Sequence, residues 1–137
     1  MHQPHFVADM TTMGAIGAYE MVLCAHALEH LFLCDANKAL TEFHRVLTPG
    51  GCAIVFVPDL EGVQPTEEVL YVSPAGPVSG LDLIYGFRPL VVTNSHMQHR
   101  TGFIRRTLEQ AMRQSGFERV VTRRLEQYNL MGVGVKE

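Results

Sequence analysis

The chain has 137 residues, 47% of them apolar and 18% charged, enough for one domain with a real hydrophobic core. Eleven basic against fourteen acidic side chains give a net charge of −3, which excludes the basic footprint of a nucleic-acid or anionic-membrane binder. Three cysteines, Cys24, Cys34 and Cys52, have no CxxC spacing, so a disulfide framework is not expected and a reducing, cytoplasmic location is. No apolar stretch reaches membrane-spanning length, and the N-terminus lacks the order of a signal peptide.

In chain order, residues 5–10 (HFVADM) predict a short strand ending at Asp9, and residues 11–18, with two glycines, a loop. Residues 20–25 (EMVLCA) are a continuous apolar run, the pattern of a strand buried on both faces in a parallel sheet. Residues 35–47 predict a helix with Asp35 as N-cap and Ala39, Leu40, Phe43, Val46 and Leu47 as its apolar stripe. Pro49-Gly50-Gly51 is expected to stop that helix and turn the chain into a second buried strand, residues 52–57. Strand, helix, strand implies a right-handed βαβ unit with parallel strands.

Residues 60–101 read as an irregular insert with four prolines and four glycines, with one helical turn near Leu81–Phe87. An amphipathic helix is expected over 103–115, with Ile104, Leu108, Ala111 and Met112 inward and Gly116 as its cap. Residues 118–125 and 128–135 predict a closing antiparallel hairpin.

Several of these segments carry a resemblance. Tyr19-Glu20-Met21-Val22 leading into Leu28-Glu29-His30, then Arg45-Val46-Leu47-Thr48-Pro49-Gly50-Gly51, and Gly116-Phe117 before the last hairpin, stand in the order found in class I S-adenosylmethionine-dependent methyltransferases. LDLIYGF (81–87) and HRTGF (99–103) resemble an insert of one subgroup of them. From about Phe6 onward the chain looks like the C-terminal two-thirds of a type 11-like methyltransferase domain; the family's first strand, glycine-rich loop and acidic ribose-binding strand have no counterpart before Tyr19. The implied fold is α/β: a truncated Rossmann-like methyltransferase domain over 1–137, with a mostly parallel sheet and a C-terminal antiparallel hairpin.

The resemblance also implies roles. Asp9 would accept a hydrogen bond from the adenine amino group, with Met10 flanking the ring. Cys24, Ala25 and His26 would border the methionine and sulfonium end of S-adenosylmethionine, with His26, and less directly His30, as the proton-handling groups. Asp59, Tyr71, Tyr85 and His99 would border the acceptor, a small molecule, a lipid or a protein. His26-Ala27-Leu28-Glu29-His30 also spells H-x-x-E-H, a zinc-peptidase pattern. It follows a strand instead of lying within a long helix, so no metal site is assigned. Without the family's first strand, strand 20–25 has a bare edge. A second copy pairing there, the HFVADM segment moving into the slot, or further chain belonging to a longer enzyme would each cover it. A methyltransferase-like module that binds a partner without catalysis is the alternative function.

Overall fold

A computed structural model of the chain describes residues 7–137. The element order is β1 (Tyr19–Ala25), a 3-10 turn (Leu28–His30), α1 (Leu33–Val46), β2 (Leu47–Pro58), β3 (Val69–Ser73), β4 (Gly76–Ser79), α2 (Gly80–Tyr85), α3 (Arg88–Val91), a second 3-10 turn (Ser95–Met97), α4 (Arg105–Gln114), β5 (Arg119–Leu125) and β6 (Asn129–Val135).

Four strands form one sheet in the order β1-β2-β6-β5. The predicted parallel βαβ unit is present, with Val22 opposite Ala53 and Cys24 opposite Val55. The expectation of a mostly parallel sheet is corrected: β2–β6 and β6–β5 are both antiparallel, so only one of the three pairings is parallel. The closing hairpin docks its second strand, not its first, against β2. Its three-residue turn, 126–128, holds Gln127 and Tyr128 both at φ 56°, in the left-handed region.

The helices cover one face of this sheet. Ala36, Ala39, Leu40 and Phe43 of α1, with Leu108, Ala111 and Met112 of α4, close over Ala53, Val55, Val57 and Leu130. Two glycines set how closely α4 approaches. A Cβ on Gly132 would lie 2.7 Å from the Met112 sulfur, and one on Gly134 2.7 Å from the Phe117 ring. The alternation of β6, with glycine at the inward positions, is therefore what lets the helix layer sit against the strand.

The opposite face has no helix on it among the described residues. Met21 and Leu23 of β1, Ile54 and Phe56 of β2, Val133 and Met131 of β6, and Val121 of β5 fall on it by register. Leu23 and Val121 are each 65% exposed. The apolar run 20–25 predicts burial on both faces; the structure buries only one.

Several boundaries differ for local reasons. Residues 1–6 lie outside the described residues, and residues 7–10 do not continue the expected strand: Asp9 and Thr12 form an isolated bridge around a turn. Helix α1 starts two residues earlier than expected, with Phe32 at the N-cap and no side-chain cap, so Asp35 sits in the first turn and not at the cap. Pro49-Gly50-Gly51 does not end the helix. These residues lie inside β2, where Gly50 has φ +84° and a Cβ on Gly51 would meet the Glu20 carbonyl oxygen at 3.0 Å. The end of α1 is instead satisfied by Lys136, whose ammonium donates to the carbonyls of His44 (2.9 Å) and Leu47 (2.8 Å). The segment 60–101 is also more ordered than expected, holding the β3–β4 hairpin, two short helices and a 3-10 turn. Ser79 and Asp82 form a reciprocal capping box that starts α2 directly from β4.

Candidate active site

The carboxyl ends of β1 and β2 meet the start of β6 at a cavity of about 270 Å³. The β3–β4 hairpin supplies Tyr71, Ser73 and Val78 to its wall, α2 supplies Asp82 and Leu83, and His99 closes it from the far end of the insert. Tyr71 stacks on Tyr128 of the β5–β6 turn, ring centroids 6.1 Å apart. The insert is fastened over the strand ends by backbone hydrogen bonds from Arg100 N and Thr101 N to the Glu29 carbonyl, at 2.7 and 3.3 Å.

Four ionisable groups converge here. His26 follows β1 directly with φ +51°, a conformation uncommon for a residue with a Cβ, and its amide donates to the Phe56 carbonyl at 2.9 Å. The backbone thus holds the imidazole at the strand tip. Glu29 is 2% exposed, and one carboxylate oxygen lies 3.8 Å from His26 Nδ1 and 3.8 Å from His30 Nε2. His30 and His99 meet edge to face, centroids 5.0 Å apart. Burial lifts the Glu29 carboxyl to about 7. Burial, with His30 nearby, lowers His26; burial also lowers His99, against the opposing hydrogen bond to the Leu83 carbonyl. Both rings are therefore biased toward the neutral form, in which an imidazole can accept a proton or bind a cation.

Of the residues expected at a site, His26, His30, Tyr71 and His99 line this cavity. The others do not. Asp9 is exposed and its carboxylate is occupied by the Thr11 amide (2.8 Å) and hydroxyl (2.7 Å), which also hold its pKa low. Met10 packs on the core. The Cys24 thiol is buried under the sheet and pushed up to about 11 by desolvation and the neighbouring Glu29. Ala25 is exposed at the strand end, and Tyr85 points outward, 56% exposed. Asp59 is buried in an ion pair with Arg124 and accepts from the Glu61 amide, bordering a separate hollow beside the cavity. Glu29 itself was legible only as part of the EH pair. That it is buried among three histidines depends on the insert folding back across 70 residues of chain.

A family model described as a methyltransferase domain matches residues 3–55. No curated protein matches the chain. Among solved structures, a candidate O-methyltransferase from Nostoc punctiforme PCC 73102 superposes with TM-score 0.65 at 16% identity, over 96% of this chain and 36% of that one. The chain resembles a type 11-like methyltransferase domain. PigF with SAH (TM-score 0.63, 15% identity, 95% of this chain and 38% of that one) shares the fold. So does human N-acetylserotonin methyltransferase in complex with SAM (TM-score 0.60, 12% identity, 94% and 32%). The chain spans roughly a third of the length of these structures.

At the tip of β1 Ala25 is exposed, with His26 beside it at the cavity, and these are the residues that would stand nearest the methionine end of such a cofactor. Among the described residues the adenosine end meets no cradle: no described strand precedes Gly14 and Gly17, and the Asp9 carboxylate already has its partners. Among the described residues no helix is long and apolar enough to cross a membrane.

Proposed function

We propose that the chain forms the acceptor-binding, proton-accepting part of an S-adenosylmethionine-dependent methyltransferase. The observation that carries this reading is the position of His26, fixed in a left-handed backbone conformation at the carboxyl end of β1 and lining the half-open cavity. Ligands of open α/β sheets bind at that end of the strands. The cofactor supplies a methyl group activated by its sulfonium. The chain's residues do the rest: Tyr71, Val78, Leu83 and Tyr128 give the cavity apolar walls, and neutral His26 takes the proton released by an acceptor hydroxyl or amine. Glu29, 3.8 Å away, stabilises the resulting imidazolium. A volume near 270 Å³ fits a small acceptor better than a folded protein surface.

The test is transfer of a labelled methyl group from S-adenosylmethionine to a panel of small hydroxyl and amine compounds. His26→Asn is the informative variant, because Asn tolerates positive φ while lacking a basic nitrogen. The expected result is turnover that falls by roughly 10²–10⁴-fold in His26→Asn with an unchanged melting temperature. No transfer to any acceptor, together with no heat on adding S-adenosylhomocysteine, sinks the reading.

A second reading rests on the bare sheet face and the free edge of β1. A second copy of the chain packed across Met21, Leu23 and Val121 would cover both, making the chain a dimerisation module. Sedimentation equilibrium separates the readings: a monomer at tens of micromolar removes this one.

A further inference from the structure

We propose that Glu29, His30 and His99 form a binding site for a divalent first-row transition metal, zinc being the best match, with an open coordination position facing the cavity. One ligand atom from each of the three residues lies within 4.8 Å of the others. Metal–nitrogen and metal–oxygen bonds of about 2.0–2.1 Å place tetrahedral ligands about 3.3 Å apart. The Glu29 oxygen and His30 Nε2 stand at 3.8 Å and no pair of the three exceeds 4.8 Å, so closure takes side-chain shifts of about 0.5–1.5 Å.

Two independent observations turn this cluster into a site. The first is the outer hydrogen-bond shell. His30 Nδ1 lies 3.3 Å from the Gln98 carbonyl and His99 Nδ1 lies 2.9 Å from the Leu83 carbonyl. A carbonyl only accepts, so each Nδ1 must carry the proton. In the neutral ring that leaves the Nε2 lone pair free, and ligating histidines are held by this kind of backbone contact. The second is an orphan. Glu29 Oε1 is the oxygen 3.8 Å from His30 Nε2, and the other oxygen of the same carboxylate, Oε2, is buried without any hydrogen-bond partner among the described residues. A buried carboxylate left half unpartnered is costly, and a cation bound to that carboxylate offsets the cost. Two imidazoles and one carboxylate are a donor set for zinc or ferrous iron and poor for magnesium or calcium.

Three protein ligands leave at least one position for water or for an oxygen of whatever occupies the cavity. His26, whose Nδ1 is 3.8 Å from the same carboxylate, stands beside that position. The site does not depend on the methyl-transfer reading, and its test measures metal and not turnover.

The experiment uses chelator-treated protein in a His2→Gln/His5→Gln background, titrated with Co²⁺ followed by its visible absorption and with Zn²⁺ by competition. The expected result is one metal per chain, with a band intensity typical of four or five ligands. Affinity should fall at least tenfold in Glu29→Gln, His30→Gln and His99→Gln, and stay unchanged in His96→Gln, which alters an exposed histidine outside the cluster. Absence of stoichiometric binding overturns the proposal, as does affinity unmoved by Glu29→Gln. If either histidine variant fails to fold, the near-isosteric Glu29→Gln decides alone.

Discussion

The two faces of the four-stranded sheet carry nearly the same kind of residue and meet different fates. On one, Ala53, Val55, Val57 and Leu130 lie under α1 and α4 and are fully buried. On the other, Leu23, Ile54, Phe56, Val133 and Val121 form a comparable apolar stripe with no layer over it among the described residues. A strand's composition records that a face is made to be covered. It does not record which part of which chain covers it.

The sharpest way to separate the faces is to remove a methyl cluster from each. Leu108→Ala, on the sheet-facing side of α4 with no exposure, should cost about 2–5 kcal/mol in urea melts. A cost under about 1 kcal/mol would mean that the helix layer is loosely held. Glu29→Gln probes the rim where both faces end. Its carboxyl titrates near 7 in the folded chain against about 4.5 when unfolded. The native state therefore holds an extra proton between these values, and stability falls as pH rises from 4.5 to 7. The penalty is complete above 7, on the order of 3 kcal/mol. In chelator-treated protein, Glu29→Gln should raise the melting temperature at pH 8 and leave it nearly unchanged at pH 4. Equal shifts at both pH values would contradict a buried, unpaired carboxyl.

Leu23→Ser on the bare face should change stability by less than about 0.5 kcal/mol in a monomer. A loss comparable with that of Leu108→Ala, growing with protein concentration, would show that the face is covered in solution. The smallest effect belongs to the N-terminal segment. It is tied to α1 through Glu42, which accepts from Met13 N and Arg45, and through Arg45, which donates to the Gly14 carbonyl. The hydrogen bonds from Arg45 and then from Met13 hold the Glu42 carboxyl at a low pKa. That contribution is present above the ordinary glutamate range and is lost as pH falls below it. Amide exchange at Met13 should accelerate, relative to exchange at Leu40, on acidification below pH 4.

How much of this was legible follows from the range of each cause. The stripe Ala39, Leu40, Phe43 and Val46, the parallel pair β1–β2 and the closing hairpin come from periodicities within about fifteen residues, and they stand where expected. The sheet order does not come from such a signal: nothing inside residues 118–135 states which strand of the hairpin will meet β2. The end of α1 lies within a residue of the expected one, but the group that satisfies its carbonyls, Lys136, is some 90 residues away and leaves no local sign. Asp59 looked like an acceptor contact for the same reason, its partner Arg124 being distant in sequence. Asp9 was placed by resemblance alone, and its own neighbour Thr11 takes its carboxylate. Glu29 hid in plain view, since burial by a returning insert leaves no mark on the residues beside it.

The chain contains no tryptophan and only four tyrosines. Two of these, Tyr71 and Tyr128, stack on each other at the cavity wall. The protein therefore carries a built-in optical reporter whose ultraviolet emission is dominated by few fluorophores. A molecule that enters and parts the rings, or a metal whose d electrons quench them, would change that signal without any label.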